Sequence, residues 1–536
     1  MNNTFDFVIV GAGSAGCVLA NRLSENGKFS VCLLESGPKD KTMMAKIPGA
    51  FSYFMFSKKY SWHYQAKSDP NIRDGEPLFV PRGKTLGGSS STNAMLYIRG
   101  QHQDYDGWAA LGNNGWSYKE LLPYFKKSET NELGKTEYHG DSGPLQVTTR
   151  PQYYPFSSTF IDASIEAGFK FNKDFNGEDQ EGVGYYQCTI KDGERSSASK
   201  AYLTSSLNRS NLTIITEAFA DKITFKNKQA HSVLCKVKGK PTEFIARKEL
   251  IVSSGAINSP KLLLLSGIGD EKQLSKHNIE TVKHLPGVGE NLQEHVDACV
   301  LVENKQKNGF TMSASGLLKM LPDTINYFKN KTGKLSNSIV ETGAFLRSSD
   351  SVDRPDIQLH VLPLLYDDNG RDFKLMSKHG LSCHVCVLRP KSRGSVSLAS
   401  TDPKMPPTFD FNFFSHPDDK KVLVDGIKQA RKIFNANSLS HYCGEEIHPG
   451  VNAQTDDEIF EKSLQRLGTV FHPVGTCKMG NDDLAVVDQD LKVHGVENLR
   501  VIDASIMPTL ISGNTNAPTI AIAEKASDSI LAEYSS

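Results

Sequence analysis

The sequence predicts an α/β protein (α+β overall) built on a Rossmann-like unit. A short apolar strand, FDFVIV, runs into GAGSAG and then into CVLANRLSEN, whose apolar residues have helical spacing. A second strand-like run, FSVCLLE, ends in an acid, which completes the pattern of a βαβ unit. At 536 residues the chain exceeds the size at which one hydrophobic core stops growing, so we expect two or more domains.

The charge balance excludes one class of partner. Lys+Arg and Asp+Glu are both 61, so the net charge is zero and no overall field attracts nucleic acid; a small-molecule partner is favoured. The apolar start is too short for a signal peptide, and no run approaches the length of a membrane span. The nine cysteines are odd in number and scattered, which favours a reducing compartment and therefore a cytoplasmic protein.

The first glycine-rich turn predicts a dinucleotide site. In this fingerprint one glycine allows the tight turn, a second lets the pyrophosphate approach the backbone, and a third lets helix pack on strand. The acid that ends the second strand can accept hydrogen bonds from a ribose diol. NAD and FAD both use this fingerprint, so the cofactor stays open here. The predicted contacts are Gly11, Gly13, Ser14, Ala15, Gly16 and Glu35.

Two later stretches also have the character of turns. PRGKTLGGSSSTNAM, residues 81–95, offers bare backbone and small donors for a flat polar ring and a phosphate, or is simply a loop that enters a helix. SSGAINSPKLLLLSGIG, residues 253–269, predicts a helix capped by Ser259 with Pro260 at its first position and Gly267 beyond its end.

The CHVC sequence at residues 383–386 suggests a redox or zinc site only at first sight. It lies in an apolar run, LSCHVCVLRP, which predicts a strand, and strand residues three apart point to opposite faces. No second pair with matching spacing exists, so we predict no metal site.

Seven motifs together carry a resemblance to a known family. They are GAGSAG with Glu35, GKTLGGSSSTNAM, GAINSPKLLLLSGIG, LPGVGENLQEH, LRPKSRGSV, HPVGTCKMG and VIDASIMP. In this order they resemble the glucose–methanol–choline (GMC) oxidoreductases over nearly the whole chain, most closely the choline dehydrogenase and bacterial aliphatic-alcohol dehydrogenase branch.

The resemblance implies FAD and a discontinuous architecture. The FAD-binding domain would comprise residues 1–155, 196–305 and 460–536. Residues 156–195 and 306–459 would form an inserted substrate domain, with helices on an antiparallel sheet. Thr92 stands where some choline-oxidising members carry the histidine that links FAD covalently; threonine cannot form that bond, so the FAD should be non-covalent.

Alcohol oxidation needs a base for the hydroxyl proton, and imidazole titrates near working pH. By resemblance His472, in VFHPVGTCKMG, is that base; alone it is equally a hydrogen-bonded turn residue. Asn516 matches the family's second catalytic position, held by histidine or asparagine, and it also stands where a helix N-cap belongs.

Further site residues follow from the same resemblance. Glu341 matches a carboxylate that faces substrate in choline-oxidising members, or is a solvated glutamate at a strand end; Phe471 is the other predicted substrate contact. The remaining predicted cofactor contacts are Arg82, Thr85, Leu86, Gly87, Gly88, Ser89, Asn93, Ala94, Met95, Ala220, Asp503, Ala504 and Asn516.

The function implied is oxidation of a primary alcohol to an aldehyde by proton abstraction and hydride transfer to FAD, with electrons passed to a quinone-like acceptor. Choline dehydrogenase is the alternative, although LSNSIVETGAF offers one phenylalanine where a quaternary ammonium needs an aromatic cage. An oxygen-using oxidase, a NAD-dependent dehydrogenase and a non-catalytic flavoprotein also stay open. Peripheral association with the cytoplasmic face of a membrane is a further expectation, and the oligomeric state is not predicted.

Overall fold

Two seven-stranded sheets organise the chain. The computed structural model describes residues 3–149, 151, 153–367 and 370–535. Its strands are Thr4–Val10 (β1), Val31–Glu35 (β2), Ser61–Gln65 (β3), Phe79–Gly83 (β4), Glu129–Asn131 (β5), Leu145–Val147 (β6), Gly182–Tyr185 (β7), Ile190–Lys191 (β8), Glu194–Arg195 (β9), Leu212–Thr216 (β10), Ala218–Lys226 (β11), Gln229–Val237 (β12), Lys240–Val252 (β13), Ile268–Gly269 (β14), Lys283–His284 (β15), Val296–Asn304 (β16), Thr342–Leu346 (β17), Ile357–Leu362 (β18), Gly380–Val387 (β19), Ser395–Ser397 (β20), Thr408–Asp410 (β21), Cys443–His448 (β22), Gly468–Thr469 (β23) and Leu499–Val501 (β24).

The α-helices cover the faces of these sheets. They are Ser14–Glu25 (α1), Phe51–Phe56 (α2), His102–Ala110 (α3), Tyr118–Ser128 (α4), Pro155–Glu166 (α5), Gly255–Leu265 (α6), Glu271–Lys276 (α7), Ala314–Lys319 (α8), Leu321–Asn330 (α9), Phe373–Met376 (α10), Pro417–Phe434 (α11), Asp456–Leu464 (α12) and Asn516–Ser535 (α13).

The first sheet has the order β10-β2-β1-β13-β12-β11, with β24 also on β13. Strands β10, β2, β1, β13 and β24 pair in parallel, and β12 pairs antiparallel with both of its neighbours. Every residue of β2 is buried, as expected for a parallel strand covered on both faces. The α/β fold class is confirmed.

The second sheet is antiparallel, with the order β22-β16-β19-β18-β17-β7 and β23 on β16. Its core side packs on α5 and α11 through residues such as Phe160, Val385 and Ile427. Two of its strands lie across the expected domain boundaries, because β16 and β23 fall in ranges assigned by resemblance to the FAD-binding domain. The chain passes between the sheets at both places, and the remaining domain boundaries stay a prediction.

Helix α6 begins earlier than its sequence predicts. It starts at Gly255, because the buried Asp503 carboxylate accepts hydrogen bonds from the Gly255 N–H (2.8 Å) and the Ser259 hydroxyl (2.5 Å). Pro260 therefore lies inside the helix, where it cannot bond to the Ala256 carbonyl. That carbonyl instead accepts from the Thr476 hydroxyl at 2.6 Å. Gly267 does follow the helix end, with a φ of 83°.

Within the described ranges, no helix has both the length and the apolar character needed to cross a membrane.

Candidate active site

A cavity extends from the carboxyl ends of β1 and β2 to the second sheet. Gly11 and Glu35 line it at the first sheet, and His472 and His360 line it toward the second. Ligands of open α/β sheets bind at the carboxyl ends of the strands, so this is where the fingerprint predicts a dinucleotide.

The glycines of the first turn are required by close packing. A Cβ on Gly11 would lie 2.4 Å from the Ser253 carbonyl oxygen, and one on Gly16 would lie 1.9 Å from the Gly11 carbonyl oxygen. Gly13 lines the cavity beside Ser14 and Ala15. The turn is thus a bare cradle at the start of α1, where unpaired N–H groups favour an anion. These residues fit the diphosphate of a dinucleotide.

Glu35 is held at the edge of this cradle. Its carboxylate accepts hydrogen bonds from the backbone N–H groups of Ala12 (3.1 Å) and Gly37 (2.8 Å). Burial raises its pKa to about 7. Glu35 lines the cavity, as a residue that binds a ribose diol must.

Only some residues of the second glycine stretch line the cavity. Gly88, Ser89, Asn93, Ala94 and Met95 line the cavity. Four predicted contacts do not line the cavity as described and lie behind its wall: Gly16, Thr85, Leu86 and Gly87. Thr85 donates its hydroxyl to the Pro38 carbonyl (2.8 Å), and the Gly87 N–H donates to the Ala12 carbonyl (2.7 Å), which holds the two glycine turns together.

Five further residues predicted to contact the cofactor also face the cavity. Arg82, Ala220, Asp503, Ala504 and Asn516 all line the cavity. They come from four separated parts of the chain, so the cavity is assembled by the fold rather than by one segment.

His472 projects from a short irregular segment after β23. Its neighbour Phe471, which also lines the cavity, has a φ of 66°, and the Arg82 guanidinium donates to the Phe471 carbonyl at 2.6 Å. The buried Glu294 carboxyl accepts from the backbone N–H groups of His472 (2.7 Å) and His295 (3.0 Å). Burial raises the pKa of Glu294 to about 8. Glu294 therefore joins the two histidine-bearing segments.

The hydrogen bonds of His295 determine which nitrogen of His472 carries a proton. His295 Nε2 lies 3.0 Å from the Leu388 carbonyl and 3.1 Å from the Ile511 carbonyl, so it must donate. Burial lowers the pKa of His295 to about 4, so the ring is neutral near pH 7 and its Nδ1 can only accept. His472 Nδ1, 3.0 Å away, is therefore the donor between the two rings. The lone pair of His472 is left on Nε2.

The amide that contacts this lone pair belongs to Asn514. Its Nδ2 donates to His472 Nε2 at 3.1 Å. The resemblance predicted Asn516 at this position, and in the structure Asn514 occupies it instead. Asn516, two residues on at the start of α13, accepts from the Ser14 hydroxyl at 2.7 Å and so lies at the glycine cradle.

Glu341 does not line the described cavity, contrary to its predicted contact with substrate. Its carboxylate accepts from the Tyr153 N–H (2.8 Å), the Ser157 hydroxyl (2.6 Å) and the Asn337 amide (3.3 Å). These partners surround the start of α5, where a carboxylate is favoured by the helix dipole. Glu341 is buried and structural, and so it is neither of the alternatives that its sequence context left open.

The wall from the second sheet holds polar residues that the sequence analysis did not identify. Asp297 and His384 both line the cavity and form a 2.7 Å contact between Oδ2 and Nδ1. Although burial opposes it, the Asp297 charge raises the pKa of His384. On the same strand, Cys383 lies in the core and Cys386 contacts Asp297, so the two thiols do diverge as predicted. Side chains alternate between the two faces along β19, and this alternation is the sequence signal that could have identified His384.

The glycine cradle, Glu35 and the buried histidine pair fit a dinucleotide-dependent oxidoreductase. Comparison with known families makes the class specific: the GMC oxidoreductase models match residues 5–297 and 390–523. The chain belongs to the GMC oxidoreductase family. It is an FAD-dependent oxidoreductase, which confirms the predicted family and cofactor.

Relatives and solved structures agree over the full length. The chain is 44% identical over 530 residues to the alcohol dehydrogenase [acceptor] of Pseudomonas putida, covering 98% of this chain and 96% of that protein. It is 42% identical to the oxygen-dependent choline dehydrogenase of Brucella anthropi, covering 98% and 95%. The crystal structure of pyridoxine 4-oxidase from Mesorbium loti superposes with a TM-score of 0.89 at 28% identity, covering 98% of each chain.

Proposed function

We propose that this protein oxidises a primary alcohol to the aldehyde and passes the electrons to a quinone-like acceptor. The observation that carries the proposal is the unprotonated Nε2 of His472, which lies in the cavity beside the amide of Asn514. The similarity to an acceptor-dependent alcohol dehydrogenase supports the substrate class.

The residues divide the work as follows. His472 Nε2 accepts the hydroxyl proton of the alcohol. The Asn514 amide, which donates to that nitrogen in the structure, then donates to the alcohol oxygen instead. His295 accepts from His472 Nδ1 throughout, so the imidazolium formed on proton transfer keeps its partner. When bound, FAD supplies the acceptor for the hydride. The cofactor contacts are the cavity-lining residues of the two glycine turns, with Glu35 on the ribose and Asn516 at the cradle.

Choline is the second candidate substrate because of the relatives that oxidise it. A quaternary ammonium needs aromatic faces and a carboxylate. Glu341 is occupied elsewhere, and Asp297 is already paired with His384. This arrangement favours uncharged alcohols. Anaerobic mixing of the protein with a panel of primary alcohols and choline tests the choice: flavin bleaching by choline alone would reverse it.

We further propose the domain division given by the resemblance, with the exception of β16 and β23, and a cytoplasmic location with peripheral attachment to the membrane that holds the quinone. An oxygen-using oxidase is the alternative for the acceptor, and steady-state rates with a soluble quinone against air-saturated buffer distinguish the two.

The FAD is expected to be non-covalent. Thr92 lines the cavity at the position where some relatives carry a linking histidine, and its hydroxyl donates to the Ser89 carbonyl at 3.3 Å. Precipitation of the purified protein with trichloroacetic acid should leave the yellow chromophore in the supernatant. A yellow pellet would contradict the prediction.

Glu35→Ala should weaken FAD retention and leave the fold intact. The substitution removes the acceptor for the ribose and frees the N–H groups of Ala12 and Gly37, at a cost of about 1–3 kcal/mol in binding. FAD content after extensive dialysis and the Kd for added FAD measure the effect, with circular dichroism as the control for folding. Wild-type occupancy in the variant would exclude a ribose contact.

A further inference from the structure

Helices α8 and α9 carry an apolar stripe that faces away from the protein. Within these two helices only Gly316 and Tyr327 are buried. The side chains of Leu317, Leu318, Leu321, Ile325 and Phe328, here called the apolar rim, are between 48% and 65% exposed. Leu321, Ile325 and Phe328, spaced by four and three residues, lie on one face of α9, and Leu317 and Leu318 are exposed on the preceding α8.

A second group of exposed apolar side chains lies on α2, a helix that also lines the cavity. Helix α2 contributes Phe51, Phe54 and Met55 to the cavity wall, while Tyr53 and Phe56 on its other side are exposed. The Phe56 ring lies 6.1 Å from that of Phe373, which is also exposed. A Cβ on Gly49, just before α2, would lie 2.9 Å from Leu335, just after α9. The segment that carries the rim therefore ends beside the start of α2, and α2 and α10 contact each other beside the cavity.

The segment that carries the rim is basic although the chain is neutral. Residues 305–336 hold six lysines and one acid, Asp323, a net charge of +5 (6 − 1) in a chain whose total is zero. Lys331 pairs with Glu194 and Lys334 with Asp323. Among the described residues, no acid lies within ion-pair distance of Lys319 or Lys329, which flank the stripe.

We propose that the apolar rim docks the protein on an anionic lipid bilayer. An amphipathic surface helix with leucine and phenylalanine on one face and lysines beside it lies in the membrane interface and does not cross it. Lysines near such a surface are attracted by anionic headgroups. A two-fold contact between copies would instead set these lysines against each other, so the charge favours the bilayer over a second copy.

Docking on the bilayer does not depend on the proposed function. Only the reason for docking, access to a substrate or acceptor in the membrane, rests on it. With the rim in the interface, α2 and the cavity behind it face the lipid. An alcohol or a quinone dissolved in the bilayer then reaches the cavity without crossing water.

Flotation of the FAD-loaded protein with vesicles tests the proposal. Vesicles of equal parts phosphatidylglycerol and phosphatidylcholine should carry the wild-type protein, and phosphatidylcholine alone should carry much less. The double variant Leu321→Ser/Ile325→Ser should bind at least about tenfold more weakly because it loses two buried apolar contacts. The double variant Lys319→Glu/Lys329→Glu should also bind these vesicles weakly. Added salt should weaken vesicle binding by the wild-type protein.

The matched control is Leu111→Ser/Leu207→Ser, which removes two leucines that are 58% and 61% exposed elsewhere. It should bind like the wild type. Absence of wild-type binding, or undiminished binding of the rim variant, overturns the proposal. So does light scattering that shows a wild-type dimer which the rim variant converts to monomer, since the rim is then a contact between copies.

Oxidation of a water-soluble alcohol with a soluble dye is measured on every variant. The rim variants should keep the wild-type rate and FAD content, so a loss of vesicle binding cannot be attributed to misfolding. If the wild type floats but oxidises no alcohol, the docking inference stands and the proposed function fails.

Discussion

His472→Ala is expected to slow flavin reduction by a primary alcohol by about 10²–10⁴-fold, with the FAD content unchanged. That range corresponds to about 3–5 kcal/mol at about 1.4 kcal/mol per decade. The reason is the loss of Nε2, the unprotonated nitrogen of His472, whose lone pair faces the Asn514 amide and can accept a proton once the alcohol is bound. Anaerobic stopped-flow measurement of flavin absorbance gives the rate directly.

The two asparagines provide matched controls for this prediction. Asn514→Ala should slow reduction less than His472→Ala, because the Asn514 amide orients the substrate oxygen but accepts no proton. Asn516→Ala should leave the chemical step near the wild-type rate and weaken FAD retention, since its side chain lies at Ser14. Reduction of His472→Ala within about threefold of the wild type would show that the base lies elsewhere.

The pH profile gives a second measure of the same step. Burial, followed by the neighbouring imidazoles and the Arg82 guanidinium, lowers the pKa of His472 well below its usual value. Only the neutral ring accepts a proton, so the rate should be flat through neutral pH and fall as the pH drops through that lowered pKa, below about 6.5. The acid limb should be absent from His472→Ala. A limb centred above pH 7 would contradict the assignment.

The sequence predicted the parts of the site that depend on local structure. The glycine turn and Glu35 follow from a contiguous βαβ unit, and the motif around His472 predicted a histidine that does line the cavity. The choice between Asn514 and Asn516 depends on where α13 begins, because side chains two residues apart point in different directions. Helix starts are the least certain feature of a sequence pattern. The prediction therefore assigned the contact with His472 to Asn516, two residues beyond Asn514.

Other features depend on contacts that no local pattern encodes. Glu341 lies in a motif that resembles a substrate-facing carboxylate, yet it is held by partners near residue 155, almost two hundred positions away. Asp297 and His384 are brought together by the register of β16 and β19. Glu294 and His295 stand in a motif that the sequence analysis quoted without assigning either a role, since their partner at residue 472 is supplied by the tertiary fold.

His295→Ala is expected to slow flavin reduction by roughly 10–100-fold. The variant leaves the buried Nδ1–H of His472 without its acceptor, and an unpaired buried donor costs about 1–3 kcal/mol. The neutral His472 ring can then move its proton to Nε2 if the Asn514 amide turns its oxygen toward that nitrogen, and Nε2 can no longer act as a base. His295 is therefore a positioning residue: it touches no substrate and acts by fixing the tautomer of His472.

Two conservative variants separate this role from a purely structural one. His295→Asn places an amide oxygen where Nδ1 stood, so it keeps the acceptor for His472 but loses the bonds to the Leu388 and Ile511 carbonyls. His295→Gln reaches those carbonyls with its amide nitrogen and loses the acceptor. We expect the asparagine variant to recover most of the rate despite a lower Tm, and the glutamine variant to stay slow despite a Tm nearer the wild type. The reverse order of rates would mean that His295 only supports the fold, and the tautomer of His472 would then need another cause.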